Sequence, residues 1–89
     1  MTAAEFQSQL PQLSILDIRT STEWQDFNFG GTHIPLDHLL ERISELDTTK
    51  NYTIICYNGL QSGIACRLLQ SKGIQCENLE GGLEAYLSL

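Results

Sequence analysis

The sequence predicts an α/β fold built on a small, mainly parallel sheet. Two short apolar runs, Leu13 to Ile18 and Tyr52 to Cys56, have the composition of buried strands. Segments with apolar residues at helical spacing follow each of them, so strand and helix alternate along the chain. The 89 residues, 42% hydrophobic and 18% charged, hold enough apolar material for a core and exclude a disordered chain. The expectation is one domain spanning residues 1–89.

Taken in order, Thr2 to Leu10 is a candidate first helix, and LSILDI from Leu13 to Ile18 is a strand running into Asp17 and Arg19. Ser21 to Phe27 (STEWQDF) opens with Ser21 as a cap followed by Glu23, which predicts a short helix. From Leu36 to Leu46, residues Leu39, Leu40, Ile43 and Leu46 recur at three- and four-residue steps and leave Glu41, Arg42 and Glu45 for solvent, the pattern of an amphipathic helix. YTIIC (Tyr52 to Cys56) is a strand ending in a turn at Asn58 and Gly59. Between Gln61 and Lys72 the apolar stripe is Ile64, Ala65, Leu68 and Leu69, with Arg67 and Lys72 toward the C-terminal end and Gly73 placed to stop the helix in a left-handed conformation. Gln75 to Leu79 (QCENL) is a strand by its place in the alternation more than by its composition. No internal repeat or low-complexity stretch interrupts this order.

Eleven acidic residues against five basic ones give a net charge of −6, which argues against binding nucleic acid or an anionic membrane through bulk charge. The imbalance lies in residues 1–49, where Arg19 and Arg42 stand against eight carboxylates. The stretch from Asn51 to Cys66 lacks charge, but its polar residues and glycines exclude a membrane span. The start, MTAAEFQSQL, has neither a basic leader nor an apolar signal region, so a cytoplasmic location with reduced thiols is expected. Cys56, Cys66 and Cys76 are odd in number and have no CxxC spacing, which suggests neither a disulfide framework nor a zinc site; no metal and no cofactor is expected.

In parallel α/β sheets ligands bind beyond the carboxyl ends of strands, and Cys56 lies at such an end with CYNGLQS leading into a helix. Backbone N–H groups at the start of that helix lack intrahelical partners; a loop curling around the sulfur aims them at it. Such a cradle accommodates a thiolate, a persulfide anion or a bound oxyanion. Asn58 and Gly59 tolerate the tight path this requires.

Four motifs in order make the chain resemble the single-domain rhodanese-like sulfurtransferases from about Leu13 to Leu87. ILDIR at Ile15 to Arg19, with Glu23 downstream, is similar to the family's Asp-x-Arg strand end; GGTHIP at Gly30 to Pro35 is similar to its Gly-His-Ile-Pro segment. CYNGLQS is similar to the active loop, and LEGGLEAY at Leu79 to Tyr86 to the closing Leu-x-Gly-Gly stretch, with Tyr86 where tryptophan is usual. The resemblance implies a three-layer α/β/α fold with a sheet of four to five strands. It implies that Cys56 is the nucleophile, carrying sulfane sulfur as a persulfide from thiosulfate or another donor to a thiol or cyanide. Tyr57, Asn58, Gly59, Leu60, Gln61 and Ser62 would form the substrate-binding cradle. The partners implied are a small-molecule or protein-bound sulfur donor and a thiol acceptor, with a protein partner in sulfur relay possible.

The chain departs from the family at Gln61, where many active members carry arginine in Cys-x-x-Gly-x-Arg-Ser, so its loop has no cationic side chain. Affinity for dianionic thiosulfate is expected to fall unless Arg67 or Lys72 leans in, which suits a persulfide donor better and raises the alternative of a low-activity binding, regulatory or relay module. Related phosphatases have a loop one residue longer ending in an arginine clamp; the five residues between Cys56 and Ser62 and the missing arginine disfavour that chemistry. Packing is the expected role of Cys66 and Cys76, with a resolving thiol as the alternative. Structural roles are expected for His33, Asp17 and Arg19, a surface position for His38, and local packing for Trp24, Phe27 and Phe29.

Overall fold

The computed structural model describes residues 1–89. Helix α1 (Ala3–Gln9) begins at a capping box: the Thr2 hydroxyl accepts from the Glu5 N–H and Glu5 Oε1 accepts from the Thr2 N–H. A short 3-10 turn containing Pro11 leads into β1 (Ser14–Asp17). Helix α2 (Ser21–Asp26) follows, then β2 (Thr32–His33), β3 (Asn51–Ile55), α3 (Leu60–Ser71), β4 (Gln75–Asn78) and α4 (Gly82–Leu87). The strand order is β2-β1-β3-β4 and every neighbouring pair is parallel, so the sheet has four strands. Leu16 pairs with Ile54 and Asp17 with Ile55, which brings the carboxyl ends of the two central strands level.

Both faces of the sheet are covered, which is why the central strands read as continuous apolar runs without alternation. Leu16, Ile54 and Cys56 face α3 and the 3-10 segments, packing with Leu39, Leu46, Ala65 and Leu69; Ile15 and Ile55 face the other way, with Phe6 of α1 and Leu79. Tyr86 of α4 and Phe29 complete the second layer, edge-on to Phe6 at 5.6 and 5.2 Å and to each other at 5.1 Å. Phe29 therefore packs across the sequence and not only locally, while Trp24 stacks on His33 at 4.6 Å. No helix is long and apolar enough to cross a membrane.

Two sequence expectations are corrected. The amphipathic helix expected from Leu36 to Leu46 is instead two 3-10 segments, Leu36–His38 and Leu40–Glu45. Their bonds close three residues back, as from the Leu39 N–H to the Leu36 carbonyl and from the Leu46 N–H to that of Ile43. Leu36 and Leu39 stand three residues apart, as do Ile43 and Leu46; these four reach the core and Leu40 turns to solvent. The cap of α2 is Thr20, not Ser21: its hydroxyl accepts from the Glu23 N–H, and Glu23 Oε1 accepts from the Thr20 N–H, a box that requires three-residue spacing. The other expected elements fall within a residue or two of their bounds, β2 and α4 were not foreseen as elements, and Gly73, at φ +86°, ends α3 in the left-handed conformation.

Candidate active site

Cys56 follows the last residue of β3 and is 2% exposed, its sulfur lying under the turn that opens α3. The Gly59 N–H donates to Sγ at 3.1 Å and the Ser62 N–H at 3.3 Å, and the thiol donates to Ser62 Oγ at 3.1 Å. Gly59 makes this possible by capping α3 at φ +87°. The Leu60 N–H does not join the cradle: it donates to Asn58 Oδ1 at 3.0 Å, and the Leu60 side chain points into solvent. Asn58 thus shapes the turn from outside, as an Asx turn does.

Two neighbouring segments hold the loop. The Cys56 and Tyr57 carbonyls accept from the Leu83 and Glu84 N–H groups of α4 at 3.0 and 2.8 Å. Gly82 approaches so closely that a Cβ there would lie 2.5 Å from the Tyr57 carbonyl oxygen. From β4, Asn78 Nδ2 donates to the Gly59 carbonyl at 3.2 Å and Oδ1 accepts from the Ser62 hydroxyl at 2.5 Å. The Gly59 carbonyl can only accept, which fixes the Asn78 amide orientation and directs the Ser62 proton to Asn78 while Cys56 is a thiol. Once Cys56 is a thiolate, turning the Ser62 hydroxyl to the sulfur exchanges its bond to Asn78 for one to Sγ. Sequence reasoning missed Asn78, although it stands at the carboxyl end of a strand, the same signal that singled out Cys56.

A cleft of about 160 Å³ opens above the sulfur at the carboxyl ends of β1, β2 and β3. Cys56, Tyr57 and Gln61 line it from the loop, Arg19, Thr20 and Glu23 from the β1 side, and Pro35, Leu36 and Asp37 from the β2 side. Of the expected substrate-binding residues, then, Tyr57 and Gln61 line the cleft, Gly59 and Ser62 donate to the sulfur, and Asn58 and Leu60 do neither directly.

The charge in the cleft is acidic. Arg19 is its one cation, but the guanidinium is buried and engaged with Asp17, Nε to Oδ1 at 3.0 Å and Nη2 to Oδ2 at 2.8 Å, and Nη2 also donates to the Phe27 carbonyl at 2.6 Å. Glu23 and Asp37 add two carboxylates, and neither Arg67 nor Lys72 lines the cleft. Asp37 borders the site because the 3-10 segment starts directly after β2 and Pro35. His33 donates from Nε2 to the Arg19 carbonyl at 2.8 Å and supports the β1 end; His38 is exposed and pairs with Glu41. Cys66 and Cys76 lie together in the interior away from the cleft, with sulfurs 3.3 Å apart. No group of three or more His, Cys, Asp or Glu side chains comes together to hold a metal ion.

The chain is similar to known proteins in sequence and in fold. The chain is 30% identical over 76 residues to the Bacillus subtilis protein named "Putative sulfurtransferase YtwF", covering 84% of this chain and 74% of that one. It is 34% identical over 64 residues to "Putative sulfur carrier protein YrkF" of the same organism, covering 71% of this chain and 35% of the relative. Among solved structures, a rhodanese-related protein from Thermoplasma volcanium superposes with a TM-score of 0.91 at 26% identity, covering 99% of this chain and 89% of the other. A rhodanese-like domain protein from Staphylococcus aureus does so at 0.88 and 27%, covering 97% and 88%. The family model for the rhodanese-like domain matches residues 2–89, and with the Cys56 loop closing the third strand of a parallel sheet, the chain belongs to the rhodanese-like domain family.

Proposed function

We propose that the protein is a sulfurtransferase in which Cys56 carries sulfane sulfur as a persulfide. The observation that supports this most is the set of donors converging on a buried sulfur: two backbone N–H groups and a hydroxyl that can turn toward it. In the first half-reaction the Cys56 thiolate attacks the outer sulfur of the donor, forming a new S–S bond while the donor's own bond breaks and its thiolate or sulfite leaves. In the second, an acceptor thiolate or cyanide attacks the outer sulfur and Cys56 departs as thiolate. The donors at Gly59 and Ser62 receive the negative charge whenever it rests on Cys56, and the cleft wall of Tyr57 and Gln61 surrounds the outer sulfur. No proton need be abstracted by a histidine, in keeping with the positions of His33 and His38.

The donor is better described as a thiol persulfide, small or protein-bound, than as thiosulfate. A dianion entering the cleft meets Glu23 and Asp37 and finds Arg19 already committed to Asp17. A second reading, a relay module that loads sulfur but turns over slowly, is favoured by Gln61 and by the likeness to a protein named as a sulfur carrier. Thiocyanate formation, measured with cyanide as acceptor and either thiosulfate or a low-molecular-weight persulfide as donor, separates them. The proposal predicts turnover with the persulfide exceeding that with thiosulfate. Loading of Cys56 without turnover would select the relay, and neither loading nor turnover with either donor would contradict both.

A further inference from the structure

The packing of α3 on β4 repeats at matched intervals. Ser62, Cys66 and Gln70 recur every four residues and share one face of the helix, with about 6 Å between successive positions. Cys76 and Asn78 share one face of the strand, about 6.6 Å apart. Helix and strand run in opposite directions, so Ser62 meets Asn78 at 2.5 Å and Cys66 meets Cys76 at 3.3 Å between sulfurs. Gln70 follows, its Nε2 donating to the Cys76 carbonyl at 3.0 Å and to Cys66 Sγ at 3.4 Å. The two cysteines thus form the step next to the one that holds the Cys56 loop.

We propose that Cys66 and Cys76 are a redox couple that closes to an intramolecular disulfide when a hydroperoxide reaches it. The inference rests on this geometry alone and not on the sulfurtransferase reading. A disulfide requires the sulfurs to approach by about 1.3 Å from where they stand. Cys76 borders an open depression that it shares with Gln70, Ile74 and Glu77, which gives a small oxidant a way in. The step balances: one sulfur, as thiolate, attacks an oxygen of hydrogen peroxide, the O–O bond breaks, the sulfur becomes a sulfenic acid, and the other oxygen leaves as hydroxide, which takes the proton lost in forming the thiolate and becomes water. The second thiol then attacks that sulfur, the S–S bond forms, and the sulfenic oxygen leaves as water with the proton lost by the thiol. Two thiols are oxidised and one peroxide is reduced to two waters. Burial, with the hydrogen bond to Cys66 second, pushes the Cys76 thiol up to about 12, so it keeps its proton at neutral pH and the couple resists mild oxidants. Once closed, the bond ties α3 to β4 one helical turn from Ser62 and two residues from Asn78, stiffening the support of the Cys56 loop.

The test treats Cys56→Ser protein with hydrogen peroxide, unfolds it, alkylates it and measures its intact mass. The expected product is a monomer about 2 Da lighter that takes up no alkyl group, and reductant restores two alkylation sites. Trypsin, cutting after Lys50, Arg67 and Lys72, is expected to release fragment 51–67 joined to fragment 73–89. The same digest of oxidised wild-type protein, with Cys66→Ala as control, is independent of how Cys56→Ser folds: the joined fragments appear in the wild type and vanish in Cys66→Ala. Two thiols remaining after oxidation, oxygen adducts in place of a cross-link, a covalent dimer, or joined fragments persisting in Cys66→Ala would each overturn the proposal.

Discussion

At Gln61 the side chain stands on the cleft wall beside Cys56 but brings no charge, and the charge of Arg19 is already balanced by Asp17, which its Nε and Nη2 engage. A charge-assisted hydrogen bond to an anion contributes about 1.5–3 kcal/mol, so Gln61→Arg is expected to raise kcat/KM for thiosulfate by about tenfold or more. Steady-state thiocyanate formation measures this, and an unchanged value would show that missing charge is not what limits thiosulfate use. The strand-end place of Cys56 was legible from local information, and Gln61 stood out through the resemblance to the family's loop. Asn78 and Asp37 were not: the first acts through Ser62, sixteen residues earlier, and the second borders the cleft only because the following segment winds as a 3-10 helix.

Among the elements, α3 and α4 both start at left-handed glycines, Gly59 and Gly81, whose turns interlock beneath the active loop. Gly82 is the tightest point, at φ +62° with its Cα against the Tyr57 carbonyl. Gly82→Ala forces both an unfavourable backbone conformation and a shift of that carbonyl; the expected loss is about 1–3 kcal/mol, read as a lower urea midpoint, together with slower sulfur loading of Cys56. An unchanged midpoint and loading rate would contradict the close packing of these turns. Strands β1 and β3 were legible because both faces are buried and the apolar runs are continuous. The Leu36–Leu46 segment was misread because steps of three and four residues satisfy a 3-10 path as readily as an α-helix, and Thr20 was passed over although Glu23 lies three residues beyond it, the spacing of a capping box.

Over the whole molecule, the excess of carboxylates couples stability to pH. Hydrogen bonding holds three exposed carboxyls below their ordinary values: Glu5 through the Thr2 N–H, Glu45 through the Arg42 guanidinium, and Asp47 through Thr49. Folded values below the unfolded ones mean that the stability they contribute is present above the ordinary values of 4.5 and 3.8 and is lost as pH falls through the folded values. The melting temperature is therefore expected to hold near neutrality and to fall modestly from about pH 5 to pH 3, less so in high salt, where the Arg42–Glu45 pair is screened. A melting temperature unchanged down to pH 3 would contradict it. At this scale the parallel α/β fold was legible from the alternation of elements, whereas the charge of the cleft was not, since it depends on the carboxylates that the segments after β1 and β2 bring to the Cys56 loop. The most direct measurement of the central claim is the intact mass of reduced protein after exposure to a persulfide donor, with Cys56→Ser beside it. The account predicts a gain of about 32 Da, one sulfur atom, on the wild type alone; no gain, or an equal gain on the variant, would contradict Cys56 as the carrier.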